Sequence, residues 1–92
     1  MGFRDTILWV WEIYASARNH GVADEDILQA LTNAMVVADT DEDPDKVLYL
    51  GPDRAGNLLE VITVARSEDE VVIHAMAMRP KYQVLLGGGD DG

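Results

Sequence analysis

The stretch KVLYLGPDRAGNLLEVITVAR, residues 46–66, decides the fold. Upstream, apolar residues recur three and four apart; here they alternate or run together, and Val, Ile, Tyr and Thr dominate, as in pleated strands. Between its halves the segment GPDRAGN supplies Gly51, Pro52, Asp53, Gly56 and Asn57, residues suited to a hairpin loop. Lys46–Leu50 and Leu58–Arg66 are therefore expected to pair antiparallel. Outward from this hairpin, Val36–Ala38 and Val71–Ala77 have the same character and are joined to it through DTDEDPD (39–45) and SEDE (67–70). Four strands linked by short loops predict a mainly antiparallel meander.

Before the strands the period is 3.6. From Asp5 to about Asn19 there is no Gly or Pro, and Ile7, Trp11, Tyr14 and Arg18 fall on one helical stripe, predicting a first helix that ends near His20 with Gly21 closing it. Trp9 and Ile13 lie outside that stripe, so the helix is either wrapped by the domain or offers these two side chains to a partner. A second helix is expected from Ala23 to about Ala34, with Asp24, Glu25 and Asp26 in its first turn, where carboxylates meet the positive end of the helix. Arg79–Leu86 reads as a short closing helix or an extended arm, and GGGDDG at the end as a disordered tail. The expectation is an α+β fold: two N-terminal helices packed on a four-stranded sheet, with residues 1–86 as one domain and 87–92 as the tail.

Ninety-two residues with 48% hydrophobic content suffice for one core. No apolar run reaches the length of a membrane span, the first residues lack a secretory pattern, and there is no cysteine, which together predict a cytoplasmic protein without a membrane partner. The formal charge of −10 repels polyanions, and any nucleic-acid activity has to overcome it.

Metal chemistry finds little support. Asp39, Asp41 and Asp43 have the spacing of the first ligands of a calcium loop, but Pro44 replaces the flexible glycine and Leu50 the closing glutamate. The only two histidines, His20 and His74, stand far apart with no ligand motif around either, so neither a metal nor a cofactor is expected. What remains is a set of cations. Arg18 falls in the middle of an apolar stripe, where a charge must snorkel, pair or face a cleft. His74 should share a strand face with Val72 and Met76, as a sheet residue or as a catalyst. Arg79 and Lys81 follow that strand on either side of Pro80, placed either in solvent or against a phosphate or carboxylate.

Two stretches carry a resemblance: Arg18-Asn19-His20-Gly21-Val22 with the acidic start Asp24-Glu25-Asp26-Ile27, and Val71 through Tyr82. With Leu48-Tyr49-Leu50-Gly51-Pro52 and Leu58-Leu59-Glu60-Val61, the chain resembles the BrnT-type toxins of bacterial type II toxin–antitoxin systems over most of residues 14 to 82. The resemblance implies a RelE-like α+β fold and a metal-independent ribonuclease held inactive by an antitoxin. Arg18 matches a cationic position just before the family's His-Gly pair, and His20 matches that histidine. A ribonuclease built on this chain is expected to use Arg18, His74, Arg79 and Lys81 in catalysis, with substrate contacts from His20 and, from the hairpin loop, Arg54. The chain departs from the pattern at Asn19, where the family has lysine, and at His74-Ala75-Met76, where its last strand carries Ser-Ala-Arg; Arg79 and Lys81 are the candidates to supply the missing charge, and His74 the candidate base or acid. A competing expectation is a non-catalytic module that binds an antitoxin-like protein, or a second copy of itself, through Trp9 and Ile13. A third is an acidic mimic of nucleic acid using the 39–45 loop.

Overall fold

The computed structural model describes residues 11–40, 43–66 and 69–87. The four expected strands are present as β2 (Val36–Asp39), β3 (Lys46–Pro52), β4 (Leu58–Ala65) and β5 (Glu70–Ala77), each antiparallel to its neighbour in sequence. A fifth, β1 (Glu12–Ile13), lies parallel to β5, so the sheet is mixed and its order is β1-β5-β4-β3-β2. β4 is the central strand. The hairpin loop forms as its residues dictate: Asp53 Oδ1 accepts from the backbone N–H groups of Ala55 (2.9 Å) and Asn57 (2.8 Å), and Gly56 takes the positive φ of 90°.

The first helix is corrected. Its described part is β1, followed by a 3-10 helix at Ala15–Arg18. Trp11-Glu12-Ile13-Tyr14 also has a period of two, half-buried and exposed in turn, and its aromatic and β-branched residues suit a strand. Once β5 offers an edge, the period of two wins, and the ladder continues as Tyr14 N–H donates to the Val72 carbonyl at 2.9 Å. Gly21 keeps its closing role with φ 78°, its N–H bonded to the Arg18 carbonyl at 3.1 Å. Trp9, half of the proposed partner surface, lies outside the described residues. Ile13, the other half, packs half-buried against the core from β1 rather than standing on a free helical face.

The second helix forms as α1 (Asp24–Thr32), with Ala23 at its N-cap and the three acids in its first turn. It lays Ile27, Ala30 and Leu31 on one face of the sheet, against Leu59, Val61, Val72 and Ala75, with Ala17 joining from the 3-10 helix. Gly51 on β3 permits the close approach, because a Cβ there would collide with the Ala30 carbonyl oxygen. The chain after β5 takes the helical alternative, a 3-10 helix at Pro80–Leu86 with Pro80 in its first turn and Gly87 closing it at φ 77°. Residues 88–92 of the expected tail lie outside the described residues.

The β4–β5 register skips one residue. Ile62 stands opposite His74 and Thr63 opposite Val72, so Ile73 is bulged out, and its carbonyl accepts the Ser16 hydroxyl at 2.8 Å. The bulge turns Val72 into the helix-covered core while His74 stays on the other face with Met76. The expectation that His74, Val72 and Met76 share one face is therefore corrected.

Candidate functional site

Cross-strand partners share a face, so the rows Leu50–Glu60–Met76 and Leu48–Ile62–His74 place a carboxylate and an imidazole together on the side of the sheet opposite α1. Glu60, on the central strand, is the one fully buried charged side chain among the described residues. Burying a carboxylate is costly unless its oxygens are satisfied, and here they are. Oε1 accepts the Arg79 backbone N–H at 2.9 Å and Nε at 3.1 Å; Oε2 accepts Arg79 Nη2 at 2.6 Å and Nε at 3.1 Å and meets His74 Nε2 at 2.9 Å.

Two opposed effects set the state of Glu60. Burial pushes its pKa up, but the Arg79 guanidinium, the Arg79 backbone N–H and the His74 ring together outweigh burial and hold it below the ordinary carboxylate value. The group is ionised at neutral pH and can only accept hydrogen bonds. His74 Nε2 must then carry the proton it donates to Glu60, which fixes the tautomer and leaves Nδ1 as the basic nitrogen. Nδ1 has no hydrogen-bond partner among the described residues. The second imidazole, His20, lies edge-on to His74 with ring centroids 5.6 Å apart.

Arg79 reaches Glu60 because β5 ends at Ala77 and the chain turns at once into the closing 3-10 helix, with Arg79 as its N-cap. The same turn sets Lys81 Nζ 5.0 Å and Arg79 Cζ 5.9 Å from the centre of the Tyr82 ring. Beside them opens a cleft of about 420 Å³ between the closing helix and the strands β2, β3 and β4. The structure thus brings together four sequence-predicted residues: His20 with His74, and Arg79 with Lys81, linked through Glu60.

Arg18 and Arg54 are engaged elsewhere. Arg18 makes a two-pronged pair with Asp24 (2.9 and 2.7 Å), and Arg54 binds Asp26 through its backbone N–H (3.0 Å) and Nε (2.8 Å). Both aspartates are in the first turn of α1, so these arginines tether a helix end. That answers the puzzle of Arg18: it pairs, half-exposed, at the end of a 3-10 helix. Sequence reasoning missed Glu60. The available signal was an acid alone in the apolar strand LLEVITV, a position that requires a cation above it.

The geometry defines a small α+β domain in which one buried carboxylate gathers an imidazole and a guanidinium. No family model, curated protein or solved structure matches the chain. No described helix is long and apolar enough to cross a membrane, and no cluster of three potential metal ligands occurs among the described residues.

Proposed function

We propose that this chain is a toxin-like, metal-independent endoribonuclease of the type II toxin–antitoxin kind, centred on His74 and restrained by an antitoxin-like partner. The observation that supports this reading is the buried Glu60 carboxylate, which holds His74 Nε2 at 2.9 Å and Arg79 Nη2 at 2.6 Å. Glu60 orients the ring, and His74 Nδ1 takes the proton of a ribose 2′-hydroxyl. The 2′-oxygen forms a bond to phosphorus, the bond to the 5′-oxygen breaks, and the proton that oxygen needs comes from His20. Arg79 and Lys81 offset the charge that builds on the phosphate. The arginine that the resemblance expects at position 76 has a counterpart here, because Met76 stands opposite Glu60 and the guanidinium on Glu60 is that of Arg79.

Purified protein incubated with total RNA in the presence of a chelator tests the reading. Wild type should cleave, and His74→Ala should lose activity by roughly 10²-fold or more, the usual contribution of a positioned base. Absence of cleavage by wild type, or equal cleavage by the variant, would sink the assignment.

A second reading, a non-catalytic module that binds a partner or itself, is favoured by one observation. Val37 on the edge strand β2 and Met35 just before it are 60% and 62% exposed, and apolar side chains on an edge suit pairing with another chain. Sedimentation of wild type and Val37→Lys separates the cases: a dimer that the variant dissolves supports self-association, and a strict monomer for wild type removes it.

A further inference from the structure

The chain has two lysines, Lys46 and Lys81, and both line the cleft beside the closing 3-10 helix. They are far apart in sequence and belong to different elements, β3 and the closing helix. Among the described residues the arginines Arg18, Arg54, Arg66 and Arg79 all have a carboxylate partner, whereas neither lysine does. Carboxylates are abundant in a chain of charge −10, so two ammonium groups without one among the described residues, lining the same cleft, are a specific arrangement. Arg79 adds a third cation, already bound to Glu60, and Asp39 is the one acid in the lining; among the described residues the cleft has a net positive charge inside an acidic protein.

Apart from Thr40, whose hydroxyl donates to the Asp43 carbonyl at 2.9 Å, the rest of the lining is apolar or aromatic. Leu48 and Ile62 form the sheet wall, and Tyr82 and Leu85 the helix wall. A bare inorganic anion would leave these surfaces unused. A volume of about 420 Å³ falls in the range of small-molecule sites, and the combination of apolar and aromatic walls with three cations in one lining fits a ring that carries a phosphate.

We infer that this cleft is a nucleotide subsite, in which Lys46 and Lys81 hold the phosphate dianion and the base lies between Tyr82 and the Leu48–Ile62 wall. The choice of a nucleotide over other flat anions rests on the ribonuclease reading, and Arg79 joins the two sites because it lines the cleft and binds the carboxylate that orients His74. Lys46, which the sequence alone did not mark, becomes a binding residue.

Titration calorimetry of the full chain with the four ribonucleoside 3′-monophosphates, the corresponding neutral nucleosides and inorganic phosphate tests it. At least one monophosphate should bind saturably, more tightly than its nucleoside and than phosphate alone. Lys46→Ala and Lys81→Ala should each weaken it by about tenfold, the order expected for a charged hydrogen bond. No saturable monophosphate binding, or binding unchanged in the double variant, overturns the inference. Cleavage of RNA by a protein that binds no monophosphate overturns the subsite alone. Binding without any cleavage supports the subsite and removes only the ribonuclease reading.

Discussion

On the helix-covered face of the sheet, Leu59, Val61, Val72 and Ala75 meet Ile27, Ala30 and Leu31, and the charges nearest α1, the Arg18–Asp24 and Arg54–Asp26 pairs, stay at the exposed end of the helix. On the opposite face a carboxylate is buried in the middle of the central strand and the chain is folded back to cover it. The comparison teaches where charge has structural force. An exposed pair exchanges water for a partner at nearly equal free energy, whereas a buried carboxylate that loses its partner bears the full cost of desolvation.

The largest effect expected from this contrast is at Arg79. Arg79→Ala leaves Glu60 buried with only His74 and the backbone N–H, and should lower stability by about 2–4 kcal/mol, somewhat less than for a fully enclosed pair because Arg79 is 42% exposed and water can follow. The double variant Glu60→Leu/Arg79→Leu removes the charge with its partner and should recover most of that loss. Urea unfolding of the three proteins measures both steps. A double variant no more stable than Arg79→Ala would mean that the cost lies in packing of the closing helix and not in the stranded charge.

An intermediate effect separates the faces by pH. Glu60 titrates below its ordinary value in the folded state, so its contribution is complete above about pH 4.5, the unfolded value, and is lost as pH falls through the folded value. Tyr49, on the helix-covered face opposite Val61, behaves in the reverse sense. Burial, then its hydrogen bond to Glu70 at 2.9 Å, pushes its phenol up to about 12. The fold favours the neutral phenol, so its contribution is complete below pH 10 and is lost as pH rises from 10 towards 12. Unfolding midpoints should therefore fall at both extremes, with Glu60→Gln flattening the acid limb and Tyr49→Phe the alkaline limb. If either variant flattens the wrong limb, the assignment of that limb is wrong.

The same contrast explains what was legible in the sequence. The 51–57 loop and α1 are set by neighbours in sequence, Asp53 with Asn57 and three acids on one helical turn, and both were readable. Trp11-Glu12-Ile13-Tyr14 fits either period, and the choice is made by the edge of β5, nearly sixty residues away. The bulge at Ile73 is a property of the pairing and of Ser16 beneath it, so the face of Val72 was misread while that of Met76 was not. Of the candidate site, the imidazole of His74 and the cations Arg79 and Lys81 announced themselves by residue type at a strand and its exit. Glu60 stayed hidden because a carboxylate is read as solvated until a cation is known to lie above it, and Lys46 because one lysine opening a strand is ordinary until the fold sets Lys81 across a cleft from it.

The smallest expected effect tests the exposed half of the comparison. Arg18 and Arg54 hold Asp24 and Asp26 with geometry as good as that at Glu60, at 2.7 and 2.8 Å, and each aspartate titrates below its ordinary value, first of all because of the arginine's side-chain hydrogen bond. If distance alone decided strength, Arg18→Ala and Arg54→Ala would cost as much as Arg79→Ala. Both arginines lie open to water, and the aspartates keep their favourable place at the positive end of α1 after the arginines are gone. The unfolding midpoints of both variants should therefore stay within error of wild type at physiological salt, and RNA cleavage, where wild type shows it, should persist in Arg18→Ala. A midpoint shift comparable to that of Arg79→Ala would show that these pairs fasten the helix end to the sheet, and that burial of the carboxylate is not what distinguishes the two faces.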